Sequence, residues 1–414
     1  NANQTGIAYT YNNNLYVKVG NNEPLQITQD GSKDIEYGTA VHRNEFGINE
    51  GLFWSPLNDA IAFYRMDQSM VENYPVVNWA ETPAIVNMVK YPFAGRTSHQ
   101  VTLGVYNIKT ASTLYLKTGE PKDQYLTSVT WSPDAKYLYV GLLNRDQNYF
   151  QLNQYDAVSG EKIKTLFEER NDKYVEPQHA LYFVNNNPEQ FIWWSQRDGY
   201  MHLYLYKKDG TLIRPLTQGP WLVNEILGVN KKNQELIITA TKESPLQKTV
   251  YAVSLLKASM RIVTKTPATH QATLSADGNY IIDAYTNANT PRNIEIINVN
   301  TLQEKRIFTA SNPLAELNTA QVQLVKLYAE DSTLLYGKLI LPNDFDANKK
   351  YPVIVYLYNG PHLQLVKDAF PYSGNLWYDY LTQHGYIVFV MDGRGSSNRG
   401  FAFESAVHRQ LGTL

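Results

Sequence analysis

The run Phe53-Trp-Ser-Pro-Leu-Asn-Asp-Ala-Ile-Ala-Phe63 returns as Thr130-Trp-Ser-Pro-Asp-Ala-Lys-Tyr-Leu-Tyr-Val140 and, more weakly, as Thr273-Leu-Ser-Ala-Asp-Gly-Asn-Tyr-Ile-Ile-Asp283. Each copy reads as a strand, a Ser-Pro-Asp or Ser-Ala-Asp turn, and a second strand. A further unit recurs as Gly104-Val-Tyr-Asn-Ile-Lys-Thr110, Gln154-Tyr-Asp-Ala-Val-Ser-Gly160 and Ile296-Ile-Asn-Val-Asn-Thr301, and a third as Leu25-Gln-Ile-Thr-Gln-Asp-Gly31 and Leu216-Thr-Gln-Gly219. Between them lie alternating runs such as Asn14-Leu-Tyr-Val-Lys-Val19 and Met201-His-Leu-Tyr-Leu-Tyr206, bounded by Asp-Gly turns. That is hairpin grammar, and no helical period persists up to about residue 320. Irregularly spaced copies of a four-strand unit predict a β-propeller with variable blades. A large sandwich or two smaller β domains would use the same grammar.

Composition agrees. The chain has 31 Tyr against 14 Phe and 7 Trp, and Tyr suits half-buried sheet faces. The 37 Lys and Arg nearly balance the 39 Asp and Glu. This argues against nucleic acid or an anionic membrane as the main partner. No apolar stretch is long enough for a membrane-spanning helix. The start, Asn1-Ala2-Asn3-Gln4-Thr5, has no signal-peptide character. Without Cys there is no disulfide, thiolate nucleophile or Cys-ligated zinc, and the compartment stays open. The eight His show no His-x-x-x-His spacing, and Gly393 and Gly395 belong to no Gly-x-Gly-x-x-Gly loop, so no metal or cofactor is expected.

Near residue 320 the pattern changes. Leu334–Pro342 reads as a strand, and Tyr351-Pro-Val-Ile-Val-Tyr-Leu-Tyr358 and Tyr386-Ile-Val-Phe-Val-Met391 are continuous apolar runs. Trp377–His384 reads as a short amphipathic helix closed by Gly385. Continuous apolar strands alternating with helices predict a mostly parallel α/β sheet buried on both faces. About two strands of it precede Leu414, too few to close a core, so the expectation is a fragment.

Taken in order, the Trp-Ser-Pro repeats, Glu45-Phe-Gly-Ile48, Tyr64-Arg-Met-Asp-Gln-Ser-Met70, Tyr91-Pro-Phe-Ala-Gly95, Tyr356-Leu-Tyr-Asn-Gly-Pro361 and Asp392-Gly-Arg-Gly-Ser396 closely resemble the dipeptidyl peptidase IV family of prolyl-specific serine peptidases. Within that family the chain looks most like bacterial prolyl tripeptidyl peptidases. The resemblance covers essentially the whole chain. It implies an eight-bladed propeller over residues 1–320, with its first blade or two and a signal sequence expected before Asn1. It implies the start of an α/β-hydrolase domain over 321–414. The expected substrates are proline-containing peptides with a free N-terminus, no cofactor is implied, and the intact protein is expected to be an exported, periplasmic or cell-surface homodimer.

Such a hydrolase needs Gly-x-Ser-x-Gly on a sharp strand-to-helix turn, and none is present. The family's Ser, Asp and His are expected beyond Leu414. This chain alone is therefore expected to be inactive, and Ser396, His362, His384 and His408 read as turn or surface residues. Tyr358, at the end of an apolar strand, matches the family Tyr whose hydroxyl lines the oxyanion hole. Glu45 matches the carboxylate that holds the substrate's α-ammonium. The dipeptidyl members carry two adjacent glutamates, whereas this chain has Asn44-Glu45. That departure favours a site one residue deeper, about 3.3–3.5 Å, and so release of tripeptides. Release of dipeptides, or a propeller that only binds, are the alternatives. Glu50 reads as solvated. Arg65 and Asp67 read as an ion pair on an edge-like strand. Lys173 and Tyr174 lie in Asn171–Pro177, aligned with a substrate-facing loop whose Phe-Arg pair is not matched, and are weaker candidates for substrate contact. The family's carbonyl-clamping Arg is expected before Asn1.

Overall fold

The three Ser turns close with the same bonds. Ser55, Ser132 and Ser275 each donate their N–H across the turn, to Ala60 O at 2.9 Å, Tyr137 O at 2.8 Å and Tyr280 O at 2.8 Å. Each hydroxyl donates to the turn's Asp, at 2.8 Å to Asp59, 2.6 Å to Asp134 and 2.6 Å to Asp277. Each also accepts the N–H that opens the next strand, at 3.2, 3.0 and 3.0 Å. The second repeat is an Asx turn: Asn107, Asp156 and Asn298 each accept the N–H groups two and three residues on, at 2.8–3.0 Å. The repeats therefore recur because each is a self-contained set of local hydrogen bonds.

In the computed structural model, which describes residue 3 and residues 5–413, the chain forms two compact units. Asn1, Ala2, Gln4 and Leu414 lie outside the described residues, and with them most of the Asn1–Thr5 stretch read above for signal-peptide character. The first unit comprises residues 1–194 and 205–213, and the second 195–204 and 214–414.

In the first unit, Gly6–Tyr11, Asn14–Val19 and Leu25–Gln26 form a three-stranded sheet. A second sheet runs Ser112–Tyr115, Gln100–Asn107, Ala60–Asp67, Ile35–Tyr37, with Leu52–Trp54 also on Ala60–Asp67. Tyr125–Trp131, Tyr137–Leu143, Tyr149–Asp156 and Lys162–Arg170 form a four-stranded meander. Tyr64, Leu103, Leu126 and Val140, all 1 % exposed or less, pack in one core between these last two sheets. Polar anchors cross the same gap, Tyr64 Oη donating to Leu126 O at 2.9 Å and Trp131 Nε1 to Phe53 O at 3.0 Å. A two-stranded arm, Asn73–Asn78 with Ile85–Lys90, leaves Tyr74, Val76, Val86 and Met88 exposed. Ala60–Asp67 is paired along both edges, so Arg65 and Asp67 do not sit on an edge strand. Gln100–Asn107, from far along the chain, supplies the second neighbour. Arg65 does reach Asp67 at 3.9 Å, and also Asp30 at 3.6 Å.

The second unit holds two four-stranded meanders, Val223–Ile262 and Thr269–Thr309, and a final mixed sheet in the order Gln321–Tyr328, Leu334–Leu341, Ile387–Asp392, Val353–Leu357. Only the last pair is parallel, which corrects the expectation of a mostly parallel sheet. The interior strands are buried, with Ile340 and Val388 at 0 %. The expected burial of the 351–358 run is also corrected. Every residue from Val353 to Tyr358 is between 36 % and 57 % exposed, because this edge strand pairs with one neighbour and little packs on its faces. The helix is Leu376–Gln383: the Asn375 side chain accepts Trp377 N–H at 2.8 Å at its start, and Gly385, at φ +80°, ends it.

Candidate functional site

Glu45 follows a turn of unusual hand. His42, Arg43 and Asn44 have φ of +53°, +58° and +63°, and Phe46 and Gly47 return to +56° and +69°. Three successive non-glycine residues form a left-handed turn, closed by Asn44 N–H to Val41 O and Glu45 N–H to His42 O, both 3.1 Å. Left-handed backbone costs roughly 1–2 kcal/mol per residue, so the turn persists only where its surroundings over-determine it. Those surroundings are specific. The His42 ring is 4 % exposed, accepts Leu126 N–H on Nε2 at 3.1 Å, and meets His99 Nε2 with its Nδ1 at 3.0 Å. Thr127 Oγ1 donates to Phe46 O at 2.9 Å. A side chain at Gly47 would sit 2.0 Å from the Gln178 carbonyl, so only glycine lets that loop approach. The Glu45 side chain is exposed, with no hydrogen bond or ion pair among the described residues.

The Gln178 contact brings in the loop of the weaker candidates. Asn171 N–H donates to Asn148 O at 3.1 Å and Val175 N–H to Gln147 O at 2.7 Å, so half-buried Lys173 and Tyr174 stand beside the turn that carries Arg145. Arg145 donates to Tyr125 Oη and lies 5.2 Å from that ring's centroid. Tyr125 in turn packs on His42 and Phe46. Burial, with His99 and Arg145 close by, holds His42 well below the usual histidine range, and burial with Arg145 and Arg43 lowers His99 to about 4. A cleft of about 260 Å³ opens behind the turn, lined by Phe46, Ile48, Glu50, Tyr64, Ser128 and His179. Glu50 is exposed, as read from sequence. His42, His99, Tyr125 and Arg145 were not legible as a group, since they come from four separate segments.

Tyr358 lies in the second unit, just past Leu357, and is 57 % exposed. Its position is fixed by Asn359, at φ +51°, whose Oδ1 accepts Gly393 N–H at 2.7 Å. This ties together the C-terminal ends of the two parallel strands. A side chain at Gly395 would come within 2.4 Å of Asn359 O, which explains glycine there. Asp392 accepts Leu365 and Val366 N–H at 2.9 and 2.7 Å, and burial still pushes its carboxyl up. Lys338 donates to Tyr372 O at 2.6 Å, and burial lowers it to about 8. Ser396 is buried in the turn after Asp392, and its hydroxyl makes no hydrogen bond. His384 Nδ1 meets Tyr380 O at 2.9 Å. His362 is bonded through its backbone to Glu404 at 3.1 Å. None of these groups forms a nucleophile with a base. No cluster of three or more His, Asp or Glu suited to a metal occurs among the described residues.

Residues 1–292 match the family profile described as the dipeptidyl peptidase IV N-terminal region. The chain belongs to the dipeptidyl peptidase IV family. Residues 374–414 match the prolyl oligopeptidase family. The crystal structure of a Bacteroides ovatus protein assigned as a dipeptidyl aminopeptidase IV is 42 % identical with a TM-score of 0.92, over 98 % of this chain and 60 % of that one. Porphyromonas gingivalis dipeptidyl peptidase 4 gives 28 % and 0.90, over 99 % and 59 %. The protein assigned as dipeptidyl-aminopeptidase B in Talaromyces marneffei is 28 % identical over 98 % of this chain and 49 % of its own length. The chain thus spans about half the length of the curated relatives it matches. The fold of this dipeptidyl peptidase IV family member is a β-propeller followed by the start of an α/β-hydrolase domain.

Proposed function

We propose that the full-length protein is a serine exopeptidase that releases tripeptides after proline from unblocked N-termini. The observation that carries this reading is Glu45: one unpaired, exposed carboxylate on a rigid turn, preceded by Asn44 where a second carboxylate would shorten the site. A substrate ammonium is charged below its pKa of about 8 and would pair with it. Proline suits an apolar pocket because its fixed φ lowers the ordering cost. Lys173 and Tyr174, on the loop that approaches Gly47 through Gln178, are assigned to contact the peptide between its ammonium and its proline. The Tyr358 hydroxyl would donate a hydrogen bond to the tetrahedral oxyanion as acyl transfer proceeds. The 414 residues contain no Gly-x-Ser-x-Gly, so by themselves they would not turn substrate over. We place the propeller at 1–320 and the hydrolase portion at 321–414, in a protein exported to the periplasm or cell surface. The exposed apolar arm at 73–90 supports a homodimer, which sedimentation of the full-length protein would read.

The names of the relatives favour release of dipeptides, which is the second reading. The test is kcat/KM of the full-length protein for Ala-Ala-Pro and Gly-Pro p-nitroanilides side by side. Preference for Ala-Ala-Pro is expected. Preference for Gly-Pro would overturn the tripeptidyl reading and leave the dipeptidyl one. Turnover of neither would favour a propeller that only binds.

A further inference from the structure

The two backbone bonds that close the turn at His42–Asn44 would be satisfied by a turn of either hand. Something other than the backbone therefore selects the left-handed form, and with it the direction in which Glu45 leaves the turn. The only side chain of the three that is buried is His42. Its partners assign its protons. Nε2 accepts Leu126 N–H, so the neutral ring carries hydrogen on Nδ1, and His99 Nε2 must accept that hydrogen. His42 is thereby bonded on both nitrogens, to a core strand on one side and, on the other, to a residue 57 positions away. The Tyr125 ring, 5.1 Å from it at 74°, closes its remaining side.

We propose that His42 is a positioning residue for substrate recognition: held between Leu126 N–H and His99, it sets the hand of the turn and so aims the Glu45 carboxylate at the substrate's ammonium. This rests on Glu45 as the amine anchor, and goes beyond it by naming what makes the anchor rigid. A turn free to change hand would lose ordering entropy each time the substrate bound, whereas a turn already held in one hand does not.

The experiment compares His42→Phe, His42→Gln and Glu45→Gln in the full-length enzyme. Phenylalanine keeps the buried ring but removes both hydrogen bonds. Glutamine can accept from Leu126 and donate to His99. His42→Phe is expected to raise KM for Ala-Ala-Pro-p-nitroanilide about tenfold or more, with kcat within about threefold. The rate of phosphorylation by diisopropyl fluorophosphate, which has no ammonium, should not change. His42→Gln should return KM to within about threefold of wild type. A His42→Phe enzyme with wild-type KM, beside a Glu45→Gln enzyme with raised KM, would overturn the inference alone. A silent Glu45→Gln would overturn the amine-anchor reading and the inference with it. If His42→Phe does not fold, or loses reaction with the fluorophosphate, His99→Phe decides: it removes one bond only, and a wild-type KM there beside a raised KM in Glu45→Gln also overturns the proposal.

Discussion

Tyr137–Leu143 and Val353–Leu357 are nearly interchangeable on paper, YLYVGLL against VIVYL, yet their surroundings are opposite. The first is paired on both edges and buried from Leu138 onward. The second is paired on one edge, and every residue is exposed. An apolar run thus reports what a strand is suited to, not what covers it. Coverage comes from neighbours in space. The same contrast separates the two side chains to which function is proposed. Glu45 stands on a strained turn braced by a filled core, and Tyr358 on the end of an open edge strand braced by one Asn359 bond.

Core substitutions should show the largest difference. Leu138→Ala, at a site 0 % exposed, is expected to destabilise the first unit by about 2–5 kcal/mol. Val355→Ala, at 57 %, should change stability by no more than about 0.5 kcal/mol. Hydrogen exchange over the two strands of the 414-residue chain reads both. Equal costs would break the comparison, since they would mean that Val355 is covered in solution.

Next comes the chemistry at the open end. Tyr358→Phe in the full-length enzyme should lower kcat by about 10²–10³, with KM nearly unchanged, as loss of an oxyanion donor does. An unchanged kcat would reduce Tyr358 to a packing residue and leave the proposal for Glu45 untouched.

A third difference is in pH. Unfolded histidines take up protons near 6.5, whereas His99 and His179 in the first unit are held at about 4 by burial. Between these values the unfolded chain binds more protons, so stability is full above about 6.5 and falls as pH drops toward 4. Each histidine contributes up to about 1.4 kcal/mol per pH unit. Lys338 acts in another window. Held at about 8 by burial against about 10.4 unfolded, it makes the second unit more stable as pH rises between those values. Exchange protection measured at pH 4.5, 7 and 9.5 should separate the units. Acid weakening confined to the second unit would contradict the assignment.

Much of the propeller was legible because its signals are local. The Ser-Pro-Asp and Asx turns and the Asn375-to-Gly385 helix close within a few residues of themselves. The open edge at Val353–Leu357, the interior place of Ala60–Asp67 and the hand of the Glu45 turn were not. Each depends on a partner far along the chain: the parallel strand Ile387–Asp392, Gln100–Asn107, and His99. Glu45 and Tyr358 were readable as candidates by resemblance, whereas the groups that brace them were not.

The exposed arm is an excursion between two strands that pair directly, Ala60 opposite Asn107 through to Asp67 opposite Gln100. The ladder runs unbroken beneath it. Apart from contacts such as Lys90 to Asp34 at 3.5 Å and Arg43 over the Tyr91 ring at 4.9 Å, its length enters the stability of the sheet through the entropy of closing a loop, which rises by about 0.6 kcal/mol per doubling. Cutting the excursion to roughly an eighth of its length would recover only about 1.8 kcal/mol. Insertion and deletion at this point are close to neutral for the sheet, so natural variation can rework the arm's surface while the register below it is preserved.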